Sequence, residues 1–283
     1  MTKIFVTGAT GLIGTKLTKR LLEEGYEVAG LTTSQNGKEK LQNAGVTPYV
    51  GDIFDYDTID EAIGDFKPDV IMNEITDLKN VDMAANTKVR IEGTKNLVDA
   101  AIKHDVENMQ SQSIAFVYEG GKGLATEETP LDYNATGDRK VTVDGVEGLE
   151  KETARIKNHV ILRYGWLYGP GTWYGEDGMI YSQFKNGKVD MTDGVLSFIH
   201  IDDAVETAIQ ALNFETGTYN VADDDPVRGD AWADWYANQL NVSPEINIAP
   251  AEPFERGVSN KKFKAQGGTL IYPSWKDGMK DIK

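Results

Sequence analysis

The sequence predicts an α/β protein built on a doubly wound parallel sheet. Two observations carry that expectation. Short apolar runs alternate with helix-period segments through the first two-thirds of the 283 residues, and the first run passes through three spaced glycines into a helix. The length suffices for one large α/β domain with a smaller appendage, and no low-complexity stretch or internal repeat divides it.

The strands are read in order from "KIFVTG", "YEVAGLT", "VTPYVGD", "PDVIMNE", "VENMQSQS" and "HVILRYG". Each is four to eight residues of apolar and β-branched character bounded by Gly, Asp or Asn, as a strand buried on both faces requires. Between them, Leu12 to Glu24 and Met83 to His104 carry apolar residues at helical spacing. Lys140 to Ile156, "KVTVDGVEGLEKETARI", reads as a further amphipathic helix. After "LYGPGTWYG" the rhythm loosens into Gly-rich loops, helices at Asp202 to Asn213 and Asp230 to Leu240, and a Pro-rich tail.

Composition narrows the partners. With 45 acidic against 29 basic residues the net charge is −16, which repels phosphate backbones and anionic lipid. A small-molecule ligand is expected, and neither nucleic acid nor a membrane surface. The absence of cysteine excludes disulfides and thiol chemistry, and His104, His159 and His200 are too scattered to suggest a metal site. "MTKIFVTGATG" has neither a secretory pattern nor a bilayer-spanning run, so a soluble, cytoplasmic protein is expected.

The chemistry begins in the N-terminal loop. In "VTGATGLIGTKL", Gly8, Gly11 and Gly14 allow a tight turn and close approach of backbone to a pyrophosphate, and the following helix offers unpaired N–H groups and a partial positive charge. Residues Gly8, Ala9, Thr10, Gly11, Leu12, Ile13 and Gly14 are therefore expected to hold a dinucleotide. A carboxylate at the end of the second strand would favour NAD. This chain has Thr32, Thr33 and Ser34 there instead, with Lys38 nearby, so NADP is expected over NAD, with NAD the alternative.

"TGATGLIG", "GDIFD", "EGTKNLVDAA", "QSIAFVY", "LRYGWLYGPGTWY", "FIHIDDAVETAIQAL" and "TYNVADDDP", in this order, resemble the extended or atypical short-chain dehydrogenase/reductase group, in its NAD-dependent epimerase/dehydratase branch. The resemblance implies a Rossmann-like dinucleotide-binding region over residues 1–165 and a smaller substrate region over 166–283, with part of the sheet returning near 196–221. It implies Asp52 and Ile53 beside the adenine, Asn73 and Glu74 beside the ribose, and Tyr164 to Trp166 near the nicotinamide. It also implies Ser113 at the substrate oxygen, with Ser111 beside it in the cofactor site, and dimerisation through Met83 to His104 and Asp138 to Lys157.

One expectation of the family fails within the sequence itself. A tyrosine and a lysine four residues later should share a face of the Lys140 to Ile156 helix, where the lysine's charge favours the phenolate. Thr142 and Val146 stand there, and no tyrosine occurs from Asn134 to Arg163. Arg90 replaces the family's asparagine in "RIEGT". Tyr-x-x-x-Lys spacings occur at Tyr118, Tyr181 and Tyr272, though none in the family's place. Two functions remain open. One is an NAD(P)-dependent oxidoreductase acting on a small carbonyl, hydroxyl or nucleotide-sugar substrate, with Ser113 and Tyr118 as catalytic candidates. The alternative is a non-catalytic NADP(H)-binding sensor.

Further candidates have two readings. Trp166, Trp173 and Tyr174 suit either a substrate wall or a core. His200 with Asp202 and Asp203 reads first as a helix start. Arg228 and Arg256 lie where relatives grip an anion, and the segment between Ala115 and Arg139 suits a lid or a partner loop.

Overall fold

The computed structural model describes residues 1–77, 82–176 and 178–280. They divide into two compact units. The first comprises residues 1–113, 133–162 and 208–218, and the second 114–132, 163–207 and 219–283, so the chain passes between units several times.

The first unit contains β1 (Lys3–Thr7), α1 (Leu12–Glu23), β2 (Glu27–Thr32), α2 (Gln35–Asn43), β3 (Thr47–Val50), α3 (Tyr56–Phe66), β4 (Val70–Asn73), α4 (Met83–Lys88), α5 (Thr94–Lys103), most of β5 (Asn108–Ile114), α6 (Gly137–Thr153) and the start of β6 (Asn158–Tyr164). All six strands coincide with the apolar runs of the sequence. The sheet has seven strands in the order β3-β2-β1-β4-β5-β6, closed at one edge by Gly217–Val221. The neighbours from β3 to β5 are parallel. Beyond β1 the order therefore runs both ways, as expected of a doubly wound sheet.

One face of the sheet is closed by Phe5, Ala29, Leu31, Ile71 and Met109, packed on Ile59, Ile63 and Phe66 of α3 and Leu97 and Val98 of α5. Full burial of each of these side chains larger than alanine is worth about 1.5–3 kcal/mol. On the opposite face, Gly30, Val6, Met72 and Gln110 form a row across β2, β1, β4 and β5. The place of a Cβ at Gly30 would be contested by Ala9 and by Leu41 of α2. The segment expected as one helix from Met83 to His104 is interrupted by a π-helical turn, Val89–Gly93, which carries Arg90. Such turns recur at functional sites.

The second unit contains α7 (Met179–Lys185), α8 (Ile201–Gln210, except its last residues), α9 (Gly229–Gln239) and three two-stranded pairings. Its core is aromatic, built from Tyr168, Tyr174, Phe184, Phe198, Trp232, Tyr236 and Trp275. Asp203, in the first turn of α8, accepts the backbone N–H groups of Ile271 and Tyr272, and His200 Nδ1 accepts that of Asp202 at 3.1 Å. These groups are structural, but Asp203 ties α8 to the Ile271–Tyr272 backbone rather than capping its own helix. Among the described residues, no helix is long and apolar enough to cross a membrane.

Candidate dinucleotide site

The loop between β1 and α1 has the shape its glycines suggest. Gly8 adopts φ +70, and a Cβ there would lie 2.5 Å from the Glu74 carbonyl oxygen. Only glycine fits both the left-handed backbone and the contact. The Gly8 carbonyl accepts from Gly11 N–H at 2.8 Å, and a side chain at Gly14 would fall on that same carbonyl. No side chain caps α1 at Gly11, while Thr10, Gly11 and Leu12 are exposed. Exposed N–H groups of the first turn are therefore left to an external acceptor, and the helix dipole favours an anion. Ala9 and Ile13 are buried behind the turn.

At the end of β2 the hydroxyls are shared with the fold. Ser34 Oγ accepts from Gly37 N–H at 3.0 Å and caps α2, and Thr32 is buried against Gly37. Thr33 is exposed. Asp52 is exposed and accepts from the Phe54 N–H at 3.0 Å, whereas Ile53 is buried. Asn73 accepts from the Thr7 hydroxyl at 2.7 Å and donates to that of Thr94 at 3.1 Å. Glu74 differs from all of these. Only 5% of it is exposed, and neither carboxyl oxygen has a hydrogen-bond partner among the described residues. Burial pushes its pKa up to about 8.

On β5, Ser113 is fully buried and donates to Glu150 of α6 at 2.8 Å. Ser111, two residues earlier on the same face, shares a hydrogen bond of 2.8 Å with Thr153. The two contacts tie β5 to α6 one helical turn apart. Arg90 is 3% exposed with Nε unpartnered; burial lowers its pKa to about 10, and the nearby charge of Glu150 opposes that shift. The helix on which a tyrosine and lysine would stand instead presents Thr142, bonded back to the Asp138 carbonyl at 3.2 Å, and Val146, which is buried. Glu150 lies at the centre of this polar group, and the sequence reading did not single it out. Its signal was available as a charged residue among the helix's buried positions Val146, Leu149 and Thr153.

In the second unit Tyr118 is buried and donates to the Asn220 side-chain oxygen, with the Arg163 guanidinium 4.9 Å over its ring. Burial pushes the phenol up to about 12, although Arg163 opposes the shift. The Tyr164 hydroxyl donates to the Ala204 carbonyl at 3.1 Å. Trp166 stacks on Phe116 with ring centres 4.1 Å apart, and Tyr174 belongs to the aromatic core. Of the two arginines, Arg228 pairs with Asp193 and Asp230, and Arg256 donates to the carbonyls of Lys122 and Gly123. Lys185 sits over the Tyr181 ring on α7 but donates to the Leu240 carbonyl.

The family model described as the NAD dependent epimerase/dehydratase family matches residues 4–222. A 3-diazoavenalumate denitrifying reductase from Streptomyces is 31% identical over 304 residues, spanning 98% of this chain and 99% of that protein. The structure of UDP-glucose 4-epimerase from Thermus thermophilus in complex with NAD superposes with a TM-score of 0.79 at 25% identity, covering 99% of this chain and 97% of that one. A dTDP-4-dehydrorhamnose reductase from Aggregatibacter actinomycetemcomitans is 27% identical over 60% of this chain and 53% of its own length.

Proposed function

The chain belongs to the NAD-dependent epimerase/dehydratase family, and we propose that it is an oxidoreductase exchanging hydride between NADP(H) and a small carbonyl or hydroxyl compound of nucleotide-sugar type. The uncapped N-terminus of α1 behind the left-handed Gly8 carries this reading. Gly8 to Gly14 would hold the pyrophosphate, with Thr32 to Ser34, Asp52, Ile53, Asn73, Glu74, Ser111, Tyr164 and Trp166 as the remaining cofactor contacts. When bound, the cofactor supplies the hydride, so the protein has to orient the substrate and manage one proton.

Ser113 is assigned to the substrate oxygen. Its single proton is directed at Glu150, so as it stands it can accept from a substrate hydroxyl, and it binds a carbonyl oxygen only by turning that proton away from Glu150. Tyr118 is the second candidate, and its proton would have to leave a buried partner. Ser113→Ala is expected to lower turnover by roughly 10²-fold, near the low end for a lost acid–base group. Thr142→Ala is expected to leave it unchanged. The measurement is NADPH oxidation over a panel of aldehydes, ketones and nucleotide sugars; equal rates in both variants would remove Ser113 from the site.

NADP is expected to bind more tightly than NAD, because the exposed Thr33 places no carboxylate against a 2′-phosphate. Thr33→Asp should reverse the order. Calorimetry giving NAD a roughly tenfold advantage in the unaltered protein, about 1.4 kcal/mol, would contradict this assignment.

A second reading is favoured by the missing tyrosine. The Streptomyces relative is named for reducing and denitrifying a diazo compound. If the acceptor is a diazonium carbon, hydride adds there as dinitrogen leaves, and no oxygen has to be protonated. An α6 without the tyrosine–lysine pair suits such an acceptor. Including an aryl diazonium salt in the same panel separates the two readings.

A further inference from the structure

The proton of Ser113 ends on Glu150, which stands on the helix from which the family's tyrosine and lysine are missing. The bond from Ser113 Oγ to Glu150 Oε1 is 2.8 Å long. Two glycines of α6 bring α4 and the π-helical turn close. A Cβ at Gly145 would lie 2.7 Å from the Thr87 hydroxyl oxygen, and one at Gly148 would lie 2.6 Å from Ile91. Thr87 also donates to the Val141 carbonyl at 2.8 Å. Across this seam Arg90, buried in the π-helical turn, and Glu150 act on each other through their charges. Hydroxyl, carboxyl and guanidinium thus come together from three elements far apart in the chain.

Charged groups around the seam are paired with one another. Lys88 pairs with Glu92, Lys95 with Asp99, Arg155 with Asp99 and Glu152, Lys151 with Glu147, and Lys140 with Asp144. Glu150 itself is half-buried, so it can exchange a proton with solvent. A serine that needed only an anchor could be held by a neutral hydroxyl, as Ser111 is held by Thr153. A carboxyl adds the ability to take a proton and give it back.

The direction of the bond decides what Ser113 can do. While Glu150 is ionised it can only accept, so the serine proton points at it and the serine accepts from a substrate hydroxyl. Once Glu150 is protonated it can donate to the serine, and the serine proton is free for a carbonyl oxygen.

We propose that Glu150 is the proton relay behind Ser113, a positioning residue that takes the serine proton when an alcohol is oxidised and returns it when a carbonyl is reduced. The inference rests on the placing of Ser113 at the substrate oxygen given above. In oxidation the C–H bond of the alcohol breaks, and its electron pair leaves as hydride for NADP+. The hydroxyl proton passes to Ser113 Oγ while the Ser113 proton passes to the Glu150 carboxylate. The products are the carbonyl compound, NADPH and the Glu150 acid, which loses its proton to solvent. The positive charge lost from the cofactor is matched by the negative charge lost from Glu150. Reduction runs the same steps backward. Arg90 supplies the opposite charge that a half-buried carboxylate requires whenever the proton is away.

The test is the pH dependence of kcat, measured with NADPH over the panel of aldehydes, ketones and nucleotide sugars, and with NADP+ over the corresponding alcohols. Reduction is expected to slow as the pH rises, and oxidation as it falls. Glu150→Gln still bonds Ser113 but cannot take its proton. It should lose about 10²-fold in kcat together with its pH limb, while KM and the NADPH affinity read by fluorescence are kept. Glu150→Asp should restore the limb. Infrared difference spectra of the cofactor-free protein should show a carboxylic-acid band that grows as the pH falls, absent in Glu150→Gln and shifted in Ser113→Ala. An unchanged rate and pH profile in Glu150→Gln, or no such band over the pH range in which the protein is folded, would overturn the proposal. Should Glu150→Gln fail to fold, Glu150→Asp serves both measurements, and an unchanged rate with an unmoved limb would overturn the relay. Ser113→Ala tells the two failures apart. Full activity there removes Ser113 from the substrate oxygen and takes the relay with it; a slowed Ser113→Ala beside an unaffected Glu150→Gln removes the relay alone. Turnover of no compound in the panel would end both.

Discussion

Gly11→Arg is expected to abolish dinucleotide binding while leaving the protein folded. The nearest atom to a Cβ at Gly11 is the Gly8 carbonyl oxygen, 3.1 Å away, so the backbone needs only a small adjustment. Gly11 is exposed, and the long side chain would stand over the first turn of α1, where the N–H groups have no side-chain cap. Filling that place removes the anion's partners, and a weakening of roughly 100-fold or more is expected, about 3 kcal/mol. Titration by NADPH fluorescence reads the affinity, and circular dichroism reads the fold. An unchanged affinity in the folded variant would remove the loop from the site. The corresponding change at Gly14 is a poorer test, because a side chain there collides with the Gly8 carbonyl and unsettles the turn itself.

Glu74→Leu should stabilise the protein at neutral pH, and the size of the effect should depend on pH. The folded pKa of about 8 lies above the ordinary 4.5, so the folded state keeps its proton where the unfolded state has lost it. The contribution of the neutral acid is therefore fully present below pH 4.5 and is lost as the pH rises toward 8. At pH 7 the loss amounts to about 3 kcal/mol, which leucine, having no proton to lose, escapes. Denaturant melts at pH 4.5 and pH 7 check this: the variant's advantage should grow by that amount between them. An advantage independent of pH would show that Glu74 is not neutral in the fold.

The parts of this molecule legible in its sequence are those set by local pattern. Six apolar runs became six strands, because β1, β2, β4 and β6 are buried on both faces and leave no polar alternation to misread, while β3, at the sheet edge, is only partly buried. The glycine loop was legible for the same reason, since Gly8 and Gly14 are demanded by contacts within about ten residues or with the next strand end. The interruption of the Met83 to His104 helix was not legible. A π-helical turn shifts the register by a single residue and leaves the apolar spacing nearly intact. The partners of the candidate hydroxyls were hidden by distance along the chain. Ser113 reaches Glu150 across 37 residues and Tyr118 reaches Asn220 across 102, so pairings that decide which proton is available depend on the fold as a whole. Trp166 illustrates the same limit: its ring suits a substrate wall by composition, yet one neighbour of its face is Phe116. The sequence reads Ser34 as a phosphate donor, whereas the structure uses its hydroxyl as the N-cap of α2, a role that a serine opening a helix could equally signal.

The central claim is that hydride chemistry proceeds here without the tyrosine–lysine pair on α6, and it can be put to one measurement. The protein is mixed with NADPH carrying deuterium at the transferable position, together with the carbonyl, nucleotide-sugar and aryl diazonium panel, and the products are examined by mass spectrometry. One deuterium in a reduced product, lost in Gly11→Arg and unaffected by Thr142→Ala, is the predicted result. Cofactor that binds tightly while no product from any class gains deuterium would contradict the account and leave a protein that senses NADP(H) without using it.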